Sequence, residues 1–162
     1  MCLSVYLGSH KALLSQCVDK GALGIEKAKW TPPALSGFPF TYYLGRNGEG
    51  DELECSCLLA QHVEWGERGP NVCLDDLFSK APSCPFKELR GYVETAQQTG
   101  SPVTLVCDDT GGSPQECSDQ DYEHLVISPE MIGPTSYLFA DPMASFPWRV
   151  FYVTAPKSIA AA

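Results

Sequence analysis

The segment from residue 85 to residue 107 most constrains the fold of this chain, because it places a helix and a strand in direct succession with clear boundaries. Pro85 suits the first turn of a helix, and apolar residues then recur at steps of three and four positions as far as Ala96. Gly100 provides a C-terminal stop, and an apolar run at residues 103–107 predicts a buried strand. A helix that leads straight into a buried strand is half of a βαβ unit, so the sequence predicts a helix packed on a sheet.

Further strand and helix signals surround this unit. Strand patterns are present at residues 3–7, 40–44, 124–127, 136–140 and 149–154. The pattern at residues 21–30 is ambiguous, and an extended edge is one interpretation of it. Ser9 is a candidate cap for a short helix, and the best helical signals lie between residues 74 and 99. The prediction is a single α/β or α+β domain over residues 1–156, with a mixed sheet of about five or six strands, two main helices and a disordered tail at residues 157–162.

The charge of the chain limits its partners. The net charge is −9, and residues 47–130 carry 17 acidic against four basic side chains. An acidic surface repels phosphate backbones, so nucleic-acid binding is not expected. The apolar runs are shorter than the ~20 residues of a spanning helix, so no membrane attachment is expected either. The open edge of a mixed sheet would permit a homodimer or another protein partner.

The opening residues lack the basic head and long apolar core of a signal peptide, which predicts a cytoplasmic location. Thiols remain reduced in that compartment. We therefore expect the eight cysteines to be free, buried or metal-bound rather than paired in disulfides.

Four cysteines occur at or just beyond the ends of predicted strands: Cys2, Cys55, Cys57 and Cys107. In an extended segment alternate residues share a face, so both thiols of the CxC pair can point at one ion. Zinc takes four such ligands in structural sites, and His62 is a possible substitute ligand. The sequence thus suggests a small non-catalytic domain with a structural zinc site. The alternative without a site is that Cys2 and Cys107 are ordinary buried strand residues.

The rival interpretation is a cysteine-dependent enzyme, so the sequence leaves open whether the chain is catalytic. Cys2 would be an N-terminal nucleophile of the amidohydrolase type if the initiator were removed, and Cys107 would be a redox or hydrolytic thiol with His124 as a conceivable partner. The acidic run that follows Cys107, with Asp108 and Asp109, is typical both of a magnesium or phosphate site and of a plain glycine-rich turn.

Several short motifs together resemble a family of small uncharacterised bacterial proteins. They are the opening MCLSVYLGSHK, the strand YYLG followed by CxC, the strand VTLVCDDTGG and the closing RVFYVT. The chain departs from the family pattern by acidic residues inserted between Gly45 and Cys55 and by lacking glycines that flank the CxC. The resemblance implies an architecture and the same four cysteines, and it implies no activity.

Overall fold

The computed structural model describes residues 3–15, 22–48, 53–59, 85–98, 100–108, 122–133, 138–139 and 148–155. These residues form one helix and a six-stranded sheet. The strands are β1 (Ser4–Ser9), β2 (Leu23–Lys27), β3 (Phe40–Arg46), β4 (Val103–Asp108), β5 (Glu123–Ile127) and β6 (Arg149–Val153), and the helix is α1 (Pro85–Gln97).

The sheet is mixed, with the strand order β2-β3-β1-β4-β6-β5. Every neighbouring pair is antiparallel except β5 and β6, which are parallel. Strand β1 lies between β3 and β4, and these two strands therefore run in the same direction. In the sequence, helix α1 lies between β3 and β4. The three elements form a split βαβ unit, in which β1 lies between the two parallel strands in the sheet. The predicted mixed sheet of about five or six strands is confirmed, and the fold is of the α+β type.

One face of the sheet, called here the helix face, is covered by α1. Leu89, Val93 and Ala96 have no exposed surface, and they recur at helical spacing as the sequence predicted. They pack against alternate residues of the strands, among them Val5 and Leu105, in one apolar cluster. Because side chains alternate along each strand, every second residue of β1, β4 and β6 lies on the helix face.

The opposite face carries a smaller apolar cluster built on Tyr6, Val106 and Val150. The segment that follows β2 covers part of it, with Leu35 and Phe38 lying over Gly8. A Cβ atom at Gly8 would approach both side chains to 2.8 Å, which is closer than real contacts allow. Glycine at this position therefore permits the covering segment to lie directly on the sheet.

Side chains of α1 fix the helix to two strands. On the edge strand β2, the amide of Leu23 donates to Glu88 Oε2, and the carbonyl of Leu23 accepts from the Tyr92 hydroxyl, each over 2.9 Å. At the other end of the helix, Gln97 Nε2 donates to the carbonyls of Val153 and Thr154 over 3.1 and 2.9 Å. The two bonds to Leu23 occupy backbone groups of an edge strand.

The helix predicted after Ser9 is wrong over residues 10–15. Ser9 instead closes a tight turn, since its hydroxyl accepts from the amide of Lys11 over 3.0 Å and donates to the Lys11 carbonyl over 2.8 Å. Leu14, expected to be buried, is 82% exposed. Short polar side chains compete in this way with helix initiation by bonding to their own backbone.

Two other expectations are met only in part. The strand predicted at residues 136–140 is not formed at residues 138–139, which make a bend. The helical signal at residues 74–80 and the tail at 157–162 lie outside the described residues, so α1 is the one helix of this part of the chain. The edge at residues 21–30 contains β2, while the strands expected at residues 3–7, 40–44, 103–107, 124–127 and 149–154 are confirmed within one or two residues at their ends.

Candidate functional site

The segment that carries the CxC motif pairs with the end of β3 and then forms a turn. The amide of Arg46 donates to the Cys55 carbonyl over 3.2 Å, and the amide of Glu54 donates back to the Arg46 carbonyl over 2.8 Å. Residues Ser56–Leu59 then form a 3₁₀ turn. The two cysteines therefore belong to different local structures, because Cys55 precedes this turn and Cys57 lies within it.

Ser56 fastens this turn between β1 and β3. Its amide donates to the carbonyl of Leu3 over 2.9 Å, and its hydroxyl accepts from the amide of Val5 over 2.8 Å. The same hydroxyl donates to the carbonyl of Leu44, the residue paired with Val5 across the two strands. The fully buried side chain of Ser56 thus joins both strands to the 3₁₀ turn.

Two of the four predicted zinc ligands have side chains within the described part of the chain. Cys107 is fully buried in β4 and Cys55 is partly buried, and neither is part of a disulfide in the described part of the chain. Cys2 and the candidate substitute His62 lie outside the described residues, as does the side chain of Cys57. Within the described residues no group of three or more metal-binding side chains occurs.

The CxC segment was expected to be extended, and this geometric expectation is wrong. An extended strand would direct both thiols to one side, whereas the chain leaves the extended form at Ser56. The turn nevertheless lies at the end of the sheet where β1 begins and β4 ends. Cys107 pairs with Val5 on one side of β1, and Ser56 bonds to Val5 on the other side.

Cys107 lies in the apolar cluster of the helix face, together with Leu58 and Leu59 from the 3₁₀ turn. Burial raises the pKa of its thiol to about 12, and the backbone and charge of the neighbouring Arg149 offset this only in part. A thiol with such a pKa is protonated at neutral pH and is a poor nucleophile. This environment is that of a core cysteine, the alternative given for it on sequence grounds.

Cys107 and His124 do not form a dyad, because they lie on opposite faces of the sheet. Cys107 is paired with Arg149, and His124 is paired with the next residue along β6, Val150, which belongs to the cluster of the other face. His124 instead lies 2.9 Å from the Tyr152 hydroxyl through its Nδ1 atom, and the two rings are stacked.

The sequence indicates an acidic turn at Asp108, whereas the structure buries this residue on the face opposite the helix. Asp108 ends β4 with no exposed surface, and Oδ2 of its carboxylate accepts from the Tyr122 hydroxyl over 3.3 Å. Asp108 is paired with Ser4 of the neighbouring strand β1. Burial raises the pKa of Tyr6, and the negative charge of Asp108 raises it further. Strand alternation was the available signal, since it separates Asp108 from Cys107. Asp109 and the glycines that follow lie outside the described residues.

Comparison with known proteins gives no match to any family model, to any curated protein or to any solved structure. The resemblance to small uncharacterised bacterial proteins stays a prediction. None of the described helices is both long enough and apolar enough to cross a membrane.

Proposed function

We propose that this chain is a small non-catalytic domain in which four thiols hold one structural zinc ion at one end of the sheet. The ligands are Cys2, Cys55, Cys57 and Cys107. Four protein ligands leave no open coordination position for water or substrate, so such an ion stabilises a fold and does not activate a nucleophile.

The observation that carries this proposal is the attachment of the CxC turn to β1 through Ser56. The amide of Ser56, which lies between Cys55 and Cys57 in the chain, donates to the Leu3 carbonyl over 2.9 Å, and Leu3 directly follows Cys2 in the chain. Cys107 lies one strand away, across from Val5. The turn and Cys107 also share the helix-face cluster through Leu58 and Leu59.

The burial of Cys107 favours this function over a cysteine-dependent enzyme. A substrate must reach a nucleophilic thiol, but the Cys107 side chain has no exposed surface. A structural metal needs no such access, and its binding would release the proton that burial retains on the thiol.

The test is metal analysis of the protein purified without chelator, for the wild type and for the variant carrying Cys55→Ser and Cys57→Ser. We expect one zinc per chain in the wild type and less than about a tenth of that in the double variant, because two of four ligands are lost. Cys73→Ser is the matched control, since Cys73 is not among the four proposed ligands. It should retain the metal in full.

Cobalt added to the metal-free wild type gives a second measurement that does not depend on the stability of a variant. Thiolate coordination gives cobalt intense charge-transfer absorption, which should be present in the wild type and absent in the double variant. A wild type that binds neither metal contradicts the proposal. If one thiol then reacts much faster with an alkylating agent than the others, a cysteine-dependent enzyme is the better interpretation.

A further inference from the structure

A groove of about 530 Å³ lies between α1 and the segment that follows β1. Its size is within the range of sites for small molecules. It is formed at the C-terminal end of β1, whereas the candidate thiol site is at the N-terminal end of the same strand. The groove is lined by Lys11, Ala12, Leu13, Leu14, Glu88, Gly91, Tyr92 and Thr95.

The glycine in this groove has no structural explanation within the helix. Gly91 lies in the middle of α1, where glycine costs about 1 kcal/mol relative to alanine. A Cβ atom at this position would meet no atom within 4 Å, so close packing does not require its absence. The missing side chain leaves open the floor of the groove.

The walls of the groove are mainly apolar. Leu13 packs on the core of the helix face, and its amide donates to the Tyr42 hydroxyl over 2.6 Å. Leu14 extends from the same segment and is 82% exposed. The ring of Tyr92 lines the opposite side, where its hydroxyl donates to the Leu23 carbonyl. Such a surface suits an aliphatic chain.

Two charged side chains line the groove, and they differ in what holds them. The carboxylate of Glu88 accepts from the amide of Leu23, a bond that ties it to β2. The ammonium group of Lys11 donates to the neutral amide oxygen of Gln98 over 2.8 Å. The backbone of Lys11 is fixed by the fully buried Ser9. Lys11 is therefore the charge available to an anionic group of a ligand.

We propose that this groove binds an amphipathic carboxylate, with its aliphatic chain over Gly91 and its carboxylate on Lys11. The apolar walls take the chain and the ammonium donors take the oxygens, which is the usual division between body and headgroup in a small-molecule site. This inference does not depend on the zinc proposal, because the two sites share no residue.

The test is titration of the purified full chain with decanoate below its micelle concentration, followed by amide NMR shifts and by calorimetry. We expect saturable binding of one decanoate per chain, with shifts centred on residues 11–14 and 88–95. Gly91→Leu fills the groove and should weaken binding at least about tenfold. Ser36→Leu adds the same side chain at an exposed position that does not line the groove and is the matched control, for which affinity should change less than about threefold.

The headgroup is tested with Lys11→Gln and with two ligands of the same chain length. Lys11→Gln should weaken decanoate binding roughly three- to tenfold and leave 1-decanol unaffected, because only the carboxylate uses the charge. Decylammonium should bind more weakly than decanoate to the wild type. Far-UV circular dichroism and urea unfolding establish that each variant is folded.

Three results would overturn the inference. The first is the absence of saturable decanoate binding, and the second is unchanged affinity in folded Gly91→Leu. The third is equal or tighter binding of decylammonium, which would assign the headgroup to Glu88 instead. None of these results bears on the metal content, so the two proposals fail separately.

Discussion

Ser56 joins two strands through a single hydroxyl group, which predicts a large effect for a small substitution. Ser56→Ala leaves the amide of Val5 and the carbonyl of Leu44 buried with one bond fewer each. An unsatisfied buried group costs about 1–3 kcal/mol, so the free energy of unfolding should fall by roughly that amount. Urea unfolding measures it, with chelator present so that no metal contributes.

Ser36→Ala is the control for this substitution. Ser36 is exposed at the end of a 3₁₀ turn, and the bond recorded there is made by its backbone amide. Its replacement should change the free energy of unfolding by less than about 0.5 kcal/mol. Equal effects at the two serines would mean that the hydrogen bonds of the Ser56 hydroxyl do not stabilise the fold.

The raised pKa of Tyr6 predicts that the protein loses stability at alkaline pH. Burial, followed by the nearby charge of Asp108, raises the pKa of Tyr6 above its ordinary value of 10.0. The neutral phenol is therefore favoured in the folded state, and its contribution is complete below that value. As the pH rises further the unfolded state ionises first, and stability falls by up to about 1.4 kcal/mol per pH unit from this one group.

The measurement compares the wild type with Tyr6→Phe by urea unfolding from neutral pH to about pH 11. Phenylalanine cannot ionise, so the wild type should lose stability relative to the variant only above the ordinary tyrosine pKa of 10.0. Cys107 has the same sign of shift in both proteins and cancels in the difference. Parallel curves would show that Tyr6 titrates alike in the folded and unfolded chain.

At the residue scale the sequence identified few of the decisive side chains, and the reason is physical. Ser56 separates two cysteines and carries no pattern of its own, since its importance comes from strands that are distant in the chain. Asp108 was read as part of an acidic turn, although alternation from Cys107 assigned it to the other face. The raised pKa of the Cys107 thiol depends on burial, which no spacing of cysteines reveals.

Two glycine-to-alanine substitutions, one in α1 and one in β1, should change the free energy of unfolding in opposite directions. Gly91→Ala should raise the free energy of unfolding by about 0.5–1 kcal/mol, because alanine favours the helix and meets no atom within 4 Å. Gly8→Ala should lower it, because the new methyl group would lie 2.8 Å from Leu35 and Phe38. Thermal unfolding distinguishes the two. A destabilised Gly91→Ala would show that the helix packs more tightly there than the structure has it.

The end of α1 depends on Gln97, which is buried and bonds to two carbonyls beside β6. Gln97→Leu should lower the free energy of unfolding by about 1–3 kcal/mol, because Val153 and Thr154 lose their donor. Hydrogen exchange should then increase in the last turn of the helix. Gln98→Ala is the control on the exposed side, with an expected change below about 0.5 kcal/mol.

Elements with strong local signals were predictable, and those defined by distant contacts were not. Helix α1 was found because Pro85, its apolar period and Gly100 agree on its limits. Strand β2 was ambiguous because its five residues, LGIEK, include a glycine and two charged side chains. Glu88 and Tyr92 of the helix form hydrogen bonds with its backbone. Ser9 offered the same local chemistry to a helix cap and to a turn, and only the surrounding fold selects the turn.

The whole molecule carries a net charge of −9, which predicts a dependence of stability on salt. Self-repulsion destabilises the compact state, and salt screens it over about 10 Å at 0.1 M. The melting temperature at neutral pH should therefore rise between about 0.01 and 0.5 M sodium chloride. Near the isoelectric point of about 4.6 the rise should disappear. A salt effect that is equal at both pH values would assign it to something other than net charge.

The order of strands in the sheet is the part of the whole molecule that sequence patterns could not supply. The segments of β1, β3 and β4 were each recognisable from their apolar residues. Nothing local states that β1 lies between the other two, because this arrangement comes from pairings such as Val5 with Leu44 and with Cys107.

The central position of β1 has a consequence for how the protein folds. Val5 and Cys107 are neighbours in the sheet but lie about a hundred residues apart in the chain. During translation β1 is made long before β4, and until then one side of it stays open to water or to a chaperone. Contacts of such large sequence separation slow folding. Strand β4 can close onto β1 only after residues 103–108 have been made, so nascent chains arrested before residue 103 should still be sensitive to protease.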